Sequence, residues 1–342
     1  MPVRSDPHEF DPLRRLRAAK PLLFAARKKT VNPYQDLNML GISTSWKSAA
    51  VTCGEELFTA VRRMDVSCLE LEYRIPDIVY SQLRPLLKKS DVRVVSLHNF
   101  CPLPPMVTRS MASGDLFLLS SPDHEERAEA VKWTLRTLEC ANDLEAQAVV
   151  LHCGRIEMDH GIQIIHDYFD RGRIESEQAQ EFIQAKVALR EEKKTKYLDA
   201  LRFSLEKIAR AADSLHIRIG LENRCAYFEL PGPDDFELLF TEFDGAPLYY
   251  WHDAGHAGVN EALTLGTQEG LLKRYADRLL GIHFHDVDGR RDHLPPGKGT
   301  IDFGAIKAQL KEDVIGIMEL KPGTADKEVR EGISFLREQG LG

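Results

Sequence analysis

The sequence predicts a single (β/α)₈ barrel. Three observations carry that prediction: eight short β-rich apolar runs, helical segments in the gaps between them, and an alternation that continues to the end of the 342-residue chain. The runs are Leu40 to Ser45 (LGISTS), Cys68 to Tyr73 (CLELEY), Val92 to His98 (VRVVSLH) and Ala148 to His152 (AVVLH). Ile217 to Glu222 (IRIGLE), Leu248 to Asp253 (LYYWHD), Leu280 to His285 (LGIHFH) and Ile315 to Leu320 (IGIMEL) follow. Eight strands is the number that closes a parallel barrel. An open doubly wound sheet competes, but it needs a Gly-rich phosphate turn after its first strand, where GISTSWKS stands instead.

Helical patterns fill Glu55 to Met64, Asp77 to Lys89, His124 to Ala146, Asp234 to Glu242, Gln268 to Ala276, Phe303 to Lys311 and Asp326 to Gln339. The longest gap, residues 153–216 between the fourth and fifth strands, holds a charged Ala/Glu/Lys-rich run from Glu175 to Ala212 that reads as a helical insertion with a solvated face. The stretch before it, Ile156 to Arg173, reads as a loop that could form a lid or an oligomer contact. Residues 1–36 are expected to be an N-terminal extension, and residues 37–342 the barrel.

Hydrophobic residues at 43% and charged residues at 29% describe a globular chain with ample core material, which excludes disordered and collagen-like classes. The net charge of -8 argues against a nucleic-acid partner, which a basic face would attract. Six cysteines without a C-x-x-C pair fit reduced thiols in a cytoplasm. The longest apolar run near the amino terminus, Pro21 to Ala26, is too short for an export signal or a membrane span.

Function in such a barrel sits at the carboxyl ends of the strands. There the third run ends in His98, the fourth in His152, the fifth in Glu222, the sixth in Asp253 and the seventh in His283 and His285, while the eighth carries Glu319. Clustered carboxylates at that depth demand positive charge, and a divalent cation supplies it. A mixed oxygen and nitrogen set suits Mn²⁺, Mg²⁺, Co²⁺ or Zn²⁺ without choosing among them. Taken singly, a strand-end histidine is more often structural, and Glu222 or Glu319 could pair with Arg224 or Lys321. Four successive strands presenting such side chains at one level is the coincidence that favours a metal. Alternation puts His283 and His285 on the same face, so the residues alone do not choose between them. HDAGHA (252–257) places Asp253 and His256 around Gly255 on a tight turn, and HFHDVDGRRDHLPPGKG (283–299) returns over the cleft, stiffened by Pro295 and Pro296 and loosened at Gly297 and Gly299.

At IGLENR, YYWHDAGHA, GIHFHDVDG, DHLPPGKGTIDF and GIMELKP, with weaker SLHNF and LHCG, the chain from about Gly41 onward resembles the xylose isomerase-like TIM barrel superfamily, home of sugar isomerases and epimerases and of the apurinic endonuclease type. The resemblance implies metal ligands at Glu222, Asp253, His283 and Glu319, and it prefers His283 over His285. His256 matches a position that contacts substrate or a further metal. The endonuclease branch adds metal histidines matching His98, His152, His256 and His293, and so leaves room for further zinc ions. It also needs an acid two residues before the last of these, where Arg291 stands here, with Asp292 next to His293.

The first functional expectation is a metal-dependent isomerase or epimerase of a sugar, sugar acid or polyol, working by proton transfer through a metal-stabilised enediolate. Glu222 and Glu319 would exchange the proton. His98, His152, His256, His285, Arg290 and His293 would contact substrate oxygens, and Trp251 or Phe100 would pack on the sugar's apolar face. A dehydratase or lyase acting on a keto-polyol shares the first step. A phosphodiesterase of the apurinic endonuclease kind would need several zinc ions and a basic groove, and a non-catalytic binding barrel would keep the ligand without turnover. The partner expected is a small carbohydrate, with no membrane and no nucleic acid; an exposed apolar stripe on the long helices would favour a homodimer.

Overall fold

The computed structural model describes residues 40–342, so the extension expected over residues 1–36 lies outside the described residues. Eight parallel strands close a barrel: β1 (Leu40–Ser43), β2 (Cys68–Leu71), β3 (Arg93–His98), β4 (Ala148–Leu151), β5 (Arg218–Glu222), β6 (Leu248–Asp253), β7 (Leu279–Phe284) and β10 (Ile315–Met318), the last pairing with both β7 and β1. Every expected run contributes one strand. The observed ladders are up to two residues shorter at their carboxyl ends, where the chain peels away into the loops that form the cleft. Glu319 still donates its backbone N–H to Phe284 O at 3.0 Å, which holds it level with the other strand ends.

Between β7 and β10 the returning segment folds as an antiparallel hairpin, β8 (Asp286–Asp288) and β9 (Arg291–Leu294), turned at Gly289 with φ +60. The expected looseness at Gly297 and Gly299 is corrected. Buried Asp286 accepts both glycine N–H groups, at 2.9 and 2.8 Å, and that of Ile301 at 3.0 Å, so the loop is pinned beneath the hairpin.

The insertion between β4 and β5 contains three helices. Glu177–Lys193 and Thr195–Ser214 were legible as helical charge patterning, and the second buries Leu198, Leu201, Leu205 and Ile208 at helical spacing. The stretch read as a loop instead contains a helix, Ile162–Asp170, whose Ile162 and Ile165 join a small apolar cluster with Val259, Leu263 and Val287. Tertiary burial makes that helix, and the flanking polar residues conceal it in the sequence. An ion pair ties the insertion down: Arg190, 4% exposed, meets fully buried Asp235, which also receives Lys194 Nζ at 3.1 Å and the Gly232 N–H at 2.8 Å. All six cysteines are free, and among the described residues no helix is long and apolar enough to cross a membrane.

Candidate metal centre

Glu222 ends β5, Asp253 ends β6, His283 is the penultimate residue of β7, and Glu319 follows β10. Asp253 and His283 are direct ladder partners, so adjacent strands deliver them to the same level. One donor atom from each of the four lies within 4.8 Å of the others. His283 Nδ1 is 3.2 Å from Glu319 Oε2 and 3.6 Å from both Glu222 Oε1 and Asp253 Oδ2. Both Glu222 Oε1 and His283 Nδ1 are buried without a hydrogen-bond partner, a costly arrangement for a carboxylate and an imidazole that face each other. A divalent ion between the four would satisfy both at once, so the donor set fits such an ion.

The other face of His283 explains its orientation. Its Nε2 donates to Glu70 Oε2 at 3.2 Å, and Ser96 Oγ donates to the same oxygen at 2.8 Å. A donated Nε2–H leaves the Nδ1 lone pair aimed at the centre, the arrangement in which a carboxylate orients a metal-binding histidine. Glu70 was missed in the sequence, where it stands as one of two alternating glutamates in CLELEY. Below lies the Trp251 indole, fully buried, its ring 5.1 Å from that of His283. Gly281 and Gly220 on the flanking strands make room for it: a Cβ at Gly281 would stand 2.3 Å from indole Cζ3. Trp251 is therefore the floor of the site, and Phe100 is buried against Phe117, so neither is placed to pack on a sugar.

His285 does a different job from His283. Its Nδ1 accepts the His293 backbone N–H at 2.8 Å, which leaves Nε2 to donate to Asp253 at 2.9 and 3.0 Å. Both nitrogens are committed, so His285 orients Asp253. The turn expected at HDAGHA is in fact the start of a helix, Ala254–Ala262, with Asp253 as its N-cap accepting the His256 N–H at 2.6 Å. That cap satisfies a helix-end donor and fixes the carboxylate together. Gly255 lets the helix approach, since a Cβ there would lie 2.0 Å from the His285 ring.

Of the remaining expected contacts, His98 Nε2 and His152 Nε2 lie 3.2 and 3.1 Å from Glu222 Oε2. His256 Nδ1 is 3.3 Å from Glu222 Oε1, and His293 Nε2 is 3.8 Å from Glu319 Oε2. Arg290 is not brought to this cluster: its guanidinium forks onto Asp170 of the insertion, at 2.7 Å. Arg291 is exposed and pairs with Asp288, whereas Asp292 turns toward His293 Nδ1 at 3.4 Å and His256 Nε2 at 4.0 Å. Asp115, not assigned from the sequence, and Arg224, named there only as a pairing partner for Glu222, flank His152. Arg224 stands 3.7 Å from Glu222 Oε1, whereas Lys321 is exposed. Burial pushes the Glu222 and Asp253 carboxyls up, but the surrounding imidazoles outweigh it and hold both well below the usual carboxylate range. Further donor groups comprise His98, His152 and Glu222; His256, His285 and His293; and Cys225, His256 and Asp292.

No curated protein matches the chain. Its fold is similar to that of a D-tagatose 3-epimerase-like protein (18% identity, TM-score 0.61, covering 88% of this chain and 96% of that one). It is also similar to a 3-keto-D-glucoside 4-epimerase from E. coli in its apo form (14%, TM-score 0.62, 88% and 99%). A third similar structure is the IOLI protein with a binding zinc atom (14%, TM-score 0.59, 89% and 96%). The family profile of the xylose isomerase-like TIM barrel matches residues 58–339 and so spans the strand ends that carry Glu222, Asp253, His283 and Glu319; this chain belongs to that family.

Proposed function

We propose that the chain is a divalent-metal-dependent isomerase or epimerase of a sugar, sugar acid or polyol, with residues 37–342 as one catalytic domain. The observation that carries this reading is the convergence of the two orphaned atoms, Glu222 Oε1 and His283 Nδ1, with carboxylate oxygens of Asp253 and Glu319. These four residues would hold the ion, whose chemistry when bound is to polarise two adjacent substrate oxygens.

The rest falls to side chains. Glu222 and Glu319 come from β5 and β10, with β6 and β7 between them, so they flank a substrate from different sides. One carboxylate removes the proton on the carbon next to a carbonyl, and a carboxyl on the other side returns one. Return to the opposite face of the same carbon gives the epimer, and return to the neighbouring carbon gives the isomer. His256 and His293 stand beside these carboxylates and would hold substrate hydroxyls. Similarity to a D-tagatose 3-epimerase-like protein and to a 3-keto-D-glucoside 4-epimerase supports epimerisation.

The further donor groups give a phosphoester-cleaving reading one specific observation, against which the net charge of -8 stands. Incubation with a ketose panel in D₂O, followed by NMR and mass spectrometry, separates the readings. Exchange of a carbon-bound proton with no loss of water supports the proposal. Loss of one water points to a dehydratase, and cleavage of abasic-site DNA without exchange contradicts it.

Glu70→Gln keeps a polar partner for His283 but removes the charge. It is expected to weaken Mn²⁺ binding about 10-fold to 100-fold, as loss of an outer-shell carboxylate does. Calorimetric titration checks this, and an unchanged affinity would contradict the orienting role.

A further inference from the structure

His98, His152 and Glu222 form a second donor group that shares Glu222 with the first. His152, however, has both ring nitrogens engaged. Its Nδ1–H donates to Asp115 Oδ2 at 3.0 Å, and Arg224 Nη1 donates to its Nε2 at 2.5 Å. An imidazole nitrogen has one in-plane lone pair, so Nε2 cannot accept from the guanidinium and ligate an ion at once. Glu222 Oε2 lies 3.1 Å from the same nitrogen, a meeting of two acceptors that needs nearby positive charge. Arg224, within 3.7 Å of Glu222 Oε1, provides it.

The arginine is clamped in place. Its Nη2 meets Asp115 Oδ2 at 3.3 Å and Glu229 Oε1 at 3.2 Å, and its carbonyl accepts Asn260 Nδ2 at 2.8 Å. Glu229 in turn accepts the Ala226 N–H at 2.9 Å. The Arg224 side chain is only 9% exposed, so the charge is fixed beside the group and not screened by solvent. A dication ligated by His152 Nε2 would have to displace the guanidinium that stands 2.5 Å from that nitrogen, whereas Glu222 Oε1 of the first group lies 3.7 Å from the guanidinium and keeps its own donor site open.

Resting on the metal reading above, we infer that Arg224 is a built-in cation that takes the place of a metal at His98, His152 and Glu222, and so keeps that group from binding one. The group is thereby left to receive substrate oxygen through His98, whose Nδ1 is held by Asn99 O at 3.0 Å and whose Nε2 faces Glu222 Oε2 at 3.2 Å with no guanidinium on it.

Metal stoichiometry tests this without reference to turnover. The full chain is dialysed against Mn²⁺ or Zn²⁺ and its metal counted by mass spectrometry, as wild type, His152→Ala and Arg224→Met, with circular dichroism to verify folding. The count is expected to be unchanged by His152→Ala and to rise by one ion per chain in Arg224→Met. A loss of one ion in His152→Ala, or no gain in a folded Arg224→Met, overturns the inference while leaving the first metal centre intact. If Arg224→Met does not fold, His152→Ala decides alone. A wild-type chain that binds no ion overturns the metal reading, and the inference falls with it.

Discussion

Glu222→Gln is expected to lower turnover by about 10³-fold or more, because one substitution removes a metal donor and a proton-transfer group together. The amide is nearly isosteric, so the effect isolates charge. Glu222 Oε1 faces His283 and His256, and Oε2 faces His98 and His152; four imidazoles therefore lean on one carboxylate. An amide presents its NH₂ group to one of those sets and cannot serve both. Steady-state kinetics on whichever sugar shows proton exchange provides the measurement, with metal content followed in parallel. A variant that keeps its metal and loses turnover would place Glu222 in proton transfer; one that loses both would place it first in ion binding. Retained turnover within a few-fold of wild type contradicts both roles.

Asp235→Asn is expected to destabilise the fold by about 3–5 kcal/mol, the range for removing one partner of a buried ion pair and leaving the other charge uncompensated. Arg190 then loses its one buried carboxylate and keeps only the solvated carboxylate of Glu191 on Nη1 at 2.6 Å, with its Nε already lacking a partner. The same pair sets a pH dependence. Burial pushes the Asp235 carboxyl up, but Arg190 and Lys194 outweigh it and hold its folded value below the ordinary one. A depressed folded value means that the contribution is complete above the unfolded carboxylate range and is lost as pH falls through the folded value. Urea midpoints at neutral and acidic pH check both points: the wild type should lose stability on acidification, and Asp235→Asn should lose less. An equal loss in both would contradict the account.

The barrel was legible because each strand is a short apolar run and each run has a helical segment behind it, a pattern that depends only on nearby residues. The metal-competent residues were legible for the same reason: each stands at or near the end of an otherwise apolar run, as Glu222 closes IRIGLE. What escaped depends on partners distant in sequence. Glu70 acts on His283, 213 residues away, and nothing local in CLELEY announces that. Arg290 looked free on a polar loop until the insertion brought Asp170 to it. Strand alternation puts His283 and His285 on one face, and only ring contacts set them apart: a carboxylate stands behind one ring and a backbone N–H meets the other. In HDAGHA the glycine suggested a turn, whereas the Asp253 cap begins a helix there.

The proposed chemistry rests on a divalent ion held among Glu222, Asp253, His283 and Glu319. Anomalous diffraction from crystals grown with Mn²⁺ shows whether the ion is there. A peak is expected within coordination distance of Glu222 Oε1, Asp253 Oδ2, His283 Nδ1 and Glu319 Oε2, while His283 Nε2 stays on Glu70. Absence of a peak between these four atoms, with Mn²⁺ bound elsewhere on the chain or not at all, would contradict that chemistry.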